Sequence, residues 1–361
     1  MTSPRRFLMM AGGTGGHVFP ALATARALQA RGHEVHWLGA SGGMEQRLIE
    51  GTDIALSLIH ISGLRGKGKL ALFAAPFRLM RALGEAYTVL RRIRPDCVVG
   101  MGGFVTGPGG LAAWLTRTPL VIHEQNAVAG LTNRLLVRFA ATVLEAFPGS
   151  FGSDVVTRCT GNPVRGDLAT LQEPGQRMAG RGGALRLLVV GGSLGARVFN
   201  DQLPEALALL PESERPEVRH QCGEKNLEAA RSAYEQQGVD ARIEPFIRDM
   251  AEAYQWADVV LCRAGALTVS ELCAAGIGAV LVPYPHAVDD HQTRNGQQMV
   301  NAGAALLIPQ SRLTPAVLAE TLGDLAKDRA RVMNMAQAAR TLARPDATER
   351  VVNYCLEAAH G

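Results

Sequence analysis

"RRFLMMAGGTGGHVFPALATARALQARG" (residues 5–32) places a short apolar run, a glycine cluster and a helical run in immediate succession. The run FLMM has the length and character of a buried strand. Glycines at 12, 13, 15 and 16 surround Thr14, and such a cluster costs conformational entropy that a plain turn does not require. His17 follows directly, and apolar residues then recur at helical spacing. A loop that feeds a helix start presents backbone N–H groups without intrahelical partners, together with the positive end of the helix dipole. Glycines let a phosphate come close to that backbone. Each charge–dipole contact is worth roughly 0.3–1 kcal/mol when exposed and up to about 2 kcal/mol when partly buried.

The same unit occurs again at residues 184–211, "ALRLLVVGGSLGARVFNDQLPEALALLP". Around the first copy, EVHWLG, CVVGMG and PLVIHE read as short buried strands, with a helical stretch over 76–94. Around the second, RHQCG, ARIEPF, DVVLCR and AVLVPY take that part. Short apolar strands alternating with helices predict an α/β chain of two doubly wound parallel sheets. The length of 361 residues fits two such domains. Segment 166–184 is glycine-rich and polar and reads as the linker. Ligands of doubly wound sheets sit beyond the carboxyl ends of the strands, so two such domains face to face are expected to enclose a cleft.

Several classes of function drop out. The dinucleotide fingerprint GxGxxG needs glycine where the chain has Val18 in the first loop and Ser193 in the second. Neither loop is the phosphate loop GxxxxGK[ST]. The six cysteines form no CxxC pair and read as free thiols of a reducing compartment. No run of 18 apolar residues predicts a membrane-spanning helix, and FLMMA is too short for a secretory leader. Residues 1–160 carry a net charge of +8 and residues 161–361 carry −4, so an anionic partner is expected for the first half. No aromatic stacking run or helix-turn-helix pattern supports nucleic acid as that partner.

A second cluster follows a strand: "DVVLCRAGALTVSELCAAG" (258–276). Arg263 ends the strand, and Glu271 lies in the first turns of the next helix. A carboxylate there serves either as a capping partner or as an acceptor for two ribose hydroxyls. Gln292 and Asn295, in the polar stretch after the next strand, supply amides suited to sugar hydroxyls or simply to a solvated loop.

Six motifs in register, GGTGGHVFPALA, GMGGFVTGPGG, HEQNAVAGLTNR, GNPVR, GGSLGAR and CRAGALTVSELCAAG, together resemble the MurG family of bacterial cell-wall glycosyltransferases. The resemblance implies the GT-B fold, two Rossmann-like doubly wound domains facing a deep cleft. It implies a first domain of residues 1–164 plus the last helix, 343–361, and a donor-binding domain of 165–342. It implies transfer of N-acetylglucosamine from UDP-N-acetylglucosamine to the 4-hydroxyl of undecaprenyl-pyrophosphoryl N-acetylmuramyl-pentapeptide, giving lipid II for peptidoglycan. The family's donor positions fall on Thr14, Gly15, Gly16, Asn126, Arg165, Ser193, Ile247, Ala266, Leu267, Thr268, Glu271 and Gln292. Ser193 and its loop would hold the diphosphate, Ile247 the uracil edge through its backbone, Glu271 the ribose, and Gln292 the sugar. Acceptor-side positions fall on His17, Phe104, His123, Glu124 and Asn126. Some members carry tyrosine where this chain has Phe104, so that hydroxyl is missing here. Expected partners are the two substrates, the anionic cytoplasmic face of the inner membrane and other cell-wall synthesis proteins. Two other functions are weighed against this one: another lipid-directed GT-B transferase, and a non-catalytic sugar-nucleotide-binding membrane module.

The family inverts the anomeric centre, which requires a base for the acceptor hydroxyl and charge stabilisation for the leaving diphosphate. Histidine ordinarily titrates near pH 6.5, which ranks His17 first as the base. Glu124 ranks second, because a carboxyl needs burial to raise its proton affinity. No DxD motif stands in a strand–turn context, so the site is expected to work without metal or other cofactor. Residues 63–95 mix Arg65, Lys67, Lys69, Arg78 and Arg81 with Leu70, Leu72, Phe73, Phe77 and Leu79. That mixture reads either as a core-facing helix with a solvated basic face or as a patch that dips into anionic headgroups.

Overall fold

The computed structural model describes residues 3–61, 75–192 and 195–360. Ser193 and the 62–74 part of the basic apolar stretch lie outside the described residues. The chain divides into two compact units, Met1–Arg165 with Pro345–Gly361, and Gly166–Arg344. Arg165, expected at the head of the second domain, belongs to the first unit.

The first unit holds β1 (Arg6–Met10), β2 (Glu34–Ala40), β3 (Ala55–Ile59), β4 (Cys97–Gly100), β5 (Leu120–Glu124), β6 (Thr142–Glu145) and β7 (Arg158–Cys159). They form one parallel sheet in the order β3-β2-β1-β4-β5-β6-β7. The second unit holds β8 (Arg186–Val190), β9 (Glu217–Gln221), β10 (Arg242–Glu244), β11 (Val259–Cys262), β12 (Gly278–Leu281) and β13 (Ala305–Leu307). These form a parallel sheet in the order β10-β9-β8-β11-β12-β13. Each order runs outward in both directions from the unit's first strand. The switch point therefore lies between β1 and β4 in the first sheet and between β8 and β11 in the second.

Strand β1 shows why a continuous apolar run suits this position. Successive side chains point to opposite faces. Phe7 and Met9 pack with Val18, Ala21, Ala25 and Leu28 of the helix Gly15–Ala30 and with Val351, Val352 and Cys355 of the helix Ala347–His360. Leu8 and Met10 pack on the other face with Ala82, Ala86 and Leu90 of the helix Ala75–Ile93. With both faces covered by helices, neither alternating position can be polar. The C-terminal helix is fastened to the first unit by Arg31, whose guanidinium donates to Asn353 Oδ1 at 2.8 Å. In the second unit, Leu187 and Val189 of β8 share a core with Phe199, Leu203 and Leu207 of the helix Arg197–Ala208.

The segment 166–184 is not a linker. It folds onto the second unit as the short helices Gly166–Ala169 and Pro174–Arg177. Arg177 is buried and donates to the carbonyls of Ala275 (2.5 Å) and Gly276 (2.6 Å), which end the helix Ala266–Ala275. Arg181 and Arg329 both pair with the buried carboxylate of Asp258 at 2.8 Å. Polar, glycine-rich composition misleads here because a few apolar side chains, Leu168, Pro174 and Met178, are buried while the arginines hydrogen-bond backbone carbonyls of the second unit. No helix among the described residues is long and apolar enough to cross a membrane.

Candidate active site

The switch point of the first unit is built from two glycine turns pressed together. Gly12 N donates to Gly102 O at 3.3 Å, joining the loop after β1 to the loop after β4. Gly103 has φ +87°, and a Cβ there would lie 2.2 Å from Gly12 O. Gly102 has φ +99°, and a Cβ there would lie 2.6 Å from His17 Nδ1. Only glycine fits either place. Behind the first loop stands Glu45, fully buried, which accepts from Ala40 N (2.8 Å) and Gly13 N (3.2 Å). Sequence reasoning missed Glu45. Its signal is the GG-x-E pattern of residues 42–45, a carboxylate in the first turn of the helix Met44–Glu50.

Thr14 is the exposed N-cap of the helix Gly15–Ala30, and its side chain makes no cap hydrogen bond. Gly15, Gly16 and His17 form the first helical turn. His17 is half-buried, and its Nδ1 lies 2.8 Å from Gln125 Oε1. His123, expected on the acceptor side, is fully buried with both ring nitrogens bonded inside the protein. It therefore stands behind the site rather than on its surface. Burial holds its pKa down at about 4, so it is neutral at pH 7. Glu124 is also buried: Oε1 accepts from Asn126 N (2.9 Å) and Nδ2 (3.1 Å), and Oε2 from Gly130 N (3.1 Å) and Asn133 Nδ2 (2.9 Å). Four donors on one carboxylate make it the organiser of the 126–133 turn, a poor setting for a proton acceptor. Phe104 is exposed, while Asn126 and Arg165 are half-buried.

In the second unit, the helix Ala266–Ala275 starts three residues beyond β11, with Ala266, Leu267 and Thr268 in its first turn. Its amide-rich end thus sits at the carboxyl edge of the sheet. Glu271 lies one turn further on, buried, with Oε2 accepting from the Tyr254 hydroxyl at 3.1 Å. Arg263 is a brace: it donates to Val282 O, Pro283 O and Gln310 Oε1 and lies over the rings of Phe199 and Tyr284. Gln292 Oε1 accepts from Tyr284 N at 2.8 Å, which fixes the amide within the loop after β12. Asn295 is fully buried and donates to Ala264 O at 3.2 Å, which makes it a support for the loop and not a sugar reader. The Ile247 side chain is buried, so only its backbone can meet a ligand. Gln221, which sequence reasoning also missed, donates from Nε2 to Gly192 O (3.0 Å) and Pro245 O (3.2 Å), tying the second glycine loop to the loop after β10.

Comparisons with known proteins show the family. Residues 7–145 match the glycosyltransferase family 28 N-terminal domain, and residues 186–351 match the glycosyltransferase family 28 C-terminal domain. A Marinobacter nauticus protein named UDP-N-acetylglucosamine–N-acetylmuramyl-(pentapeptide) pyrophosphoryl-undecaprenol N-acetylglucosamine transferase is 82% identical over 99% of this chain and 98% of its own. A Pseudomonas fluorescens protein of the same name is 56% identical over 98% of this chain and 99% of its own. The crystal structure of Acinetobacter baumannii MurG is similar at a TM-score of 0.85 and 43% identity, covering 98% of this chain and 100% of that one. The calicheamicin glycosyltransferase CalG4 shares the fold at a TM-score of 0.67 and 18% identity, over 99% of this chain and 98% of its own. The chain belongs to glycosyltransferase family 28 and, within it, to the MurG family of GT-B enzymes.

Proposed function

We propose that this chain transfers N-acetylglucosamine from UDP-N-acetylglucosamine to the 4-hydroxyl of an undecaprenyl-pyrophosphoryl N-acetylmuramyl-pentapeptide. The observation that carries this reading is identity of 82%, over 99% of the chain, with a transferase named for that reaction. The residue geometry supports a division of roles. The donor belongs to the second unit: the Gly191–Ala196 loop for the diphosphate, Ile247 backbone for uracil, the helix start at Ala266, Leu267 and Thr268 with Glu271 for the ribose side, and Gln292 Nε2 for the sugar. The first unit provides His17 as general base, with Thr14, Gly15 and Gly16 offering amides to phosphate oxygens. Arg165 and Asn126 add polar contacts. Displacement at C1 is a single step: the hydroxyl proton goes to His17, the oxygen bonds to C1, and UDP leaves.

Charge on the departing diphosphate falls to backbone amides and cations, so the reaction proceeds without metal. A chelator-treated enzyme should keep its rate; loss of activity restored by Mg²⁺ would refute that point. The acceptor is lipid-linked, and the helix Ala75–Ile93 supports docking on an anionic membrane surface, the cytoplasmic face of the inner membrane. Phe77, Leu79 and Met80 are 77%, 53% and 70% exposed there, beside Arg78 and Arg81. Apolar residues among arginines suit the headgroup boundary. Flotation with anionic liposomes should carry the protein at low salt, and absence of binding would overturn the docking.

A donor panel tests the main reading. UDP-N-acetylglucosamine with the lipid-linked acceptor should yield a product one N-acetylhexosamine heavier, and UDP-glucose should yield none. Equal turnover of both donors, or none of either, would overturn it.

A further inference from the structure

One chain of hydrogen bonds in the first unit reaches from His17 to a backbone carbonyl, and its far end fixes every proton along it. Gly161 O can only accept, and His123 Nε2 lies 3.0 Å from it, so that nitrogen carries the hydrogen. The Thr160 hydroxyl donates to the same carbonyl at 3.0 Å and, 3.2 Å from His123 Nε2, can only accept from it. His123 is neutral in its buried setting, so its Nδ1 is a bare lone pair. Gln125 Nε2 is 3.0 Å from that lone pair and 3.2 Å from His123 O. Both are acceptors, so the amide must present its NH₂ group to them and its oxygen to the other side. That oxygen lies 2.8 Å from His17 Nδ1. A carbonyl-type oxygen accepts only, and therefore His17 Nδ1 carries the hydrogen.

We propose that Gln125 and His123 are positioning residues that lock His17 in the Nδ1–H tautomer, leaving Nε2 as the one nitrogen able to take the acceptor-hydroxyl proton. The inference rests on the reading of His17 as the general base. After transfer the imidazolium keeps its Nδ1–H bond to Gln125, and Nε2 holds the new proton. The ring therefore need not turn between the neutral and charged states. Gly102, with no Cβ, leaves the ring its place against the β4 loop. A neutral amide orients the ring without adding a negative charge, unlike the carboxylate of a Ser-His-Asp triad.

The test reads the tautomer directly. Two-bond ¹H–¹⁵N correlation spectra of histidine-labelled full-length enzyme at pH 8.5 distinguish Nδ1–H from Nε2–H, and the His17 signals are those lost in His17→Ala. Wild type should show the Nδ1–H pattern at His17. In Gln125→Leu, His17 should move to a mixture rich in Nε2–H, with kcat lowered about tenfold or more and donor KM within about twofold of wild type. An Nε2–H pattern in wild type overturns the proposal, as does an unchanged tautomer or an unchanged kcat in Gln125→Leu. If that variant does not fold, the wild-type spectrum alone decides. The spectrum needs no substrate, so failure of the tautomer lock is separate from failure of the transferase reading, which the donor panel reports.

Discussion

The two glycine loops share a pattern in sequence and are braced in opposite senses. The first is held by a carboxylate: Glu45 takes up the Gly13 N–H, so a backbone donor is consumed and a negative charge stands behind the loop. The second is held by an amide: Gln221 donates to the Gly192 carbonyl, so an acceptor is consumed and no charge is added. A diphosphate seeks N–H donors and avoids carboxylates. On this chemistry the brace of the second loop suits an anion better than the brace of the first, in keeping with the proposed division of roles. Matched strand–loop–helix units are thus braced by one side chain each, Glu45 from the helix Met44–Glu50 and Gln221 from the end of β9.

Changing the chemistry on one loop should leave the other intact. His17→Ala should lower kcat by about 10²–10⁴ and leave donor affinity in place; a loss below tenfold would remove His17 as the base. Next in size is pH. Each unit buries a neutral histidine, His123 near 4 and His220 near 3, both depressed by burial from 6.5. The unfolded chain binds protons below 6.5 while these sites do not. Their contribution is intact above that value and falls by about 1.4 kcal/mol per pH unit for each histidine as pH drops. The fall levels off near the folded values. Urea unfolding at pH 7.5, 6 and 5 should show this slope, reduced in His123→Gln and in His220→Gln; pH-independent stability over that range would contradict it. Glu45→Leu leaves the Gly13 and Ala40 amides without their acceptor and should cost about 1–3 kcal/mol, lowering kcat/KM with donor affinity unchanged. An unaltered melting temperature would count against the brace. Gln221→Leu, the mildest, should cost about 0.5–1.5 kcal/mol and weaken donor binding while sparing the His17 tautomer.

Much of the fold is legible because the first strand of each sheet is apolar over nearly its whole length. After the half-buried Arg6 and Arg186, FLMM and LLVV have no polar position to obscure them. Strands β3, β6, β7 and β13 escape notice, β3 being only half-buried and the others two to four residues long. The glycine loops and His17 are visible in one stretch of sequence. Their supports are not: Glu45, Gln125 and Gln221 are ordinary polar residues whose importance comes from strand register and loop packing across the sheet. His123 and Glu124 show the converse. Both stand in a motif that points to chemistry, and both are spent on internal hydrogen bonds. Asn295 and segment 166–184 look solvated in sequence because polarity alone does not reveal a buried carbonyl waiting for a donor.

Calorimetric titration of UDP-N-acetylglucosamine into wild type, His17→Ala and Glu271→Ala tests the division of labour most directly. The donor should bind His17→Ala within about twofold of wild type and Glu271→Ala at least about tenfold more weakly, since a hydrogen bond to a charged group contributes about 1.5–3 kcal/mol. Loss of donor binding in His17→Ala, or its retention in Glu271→Ala, would contradict the assignment of chemistry to the first unit and donor to the second.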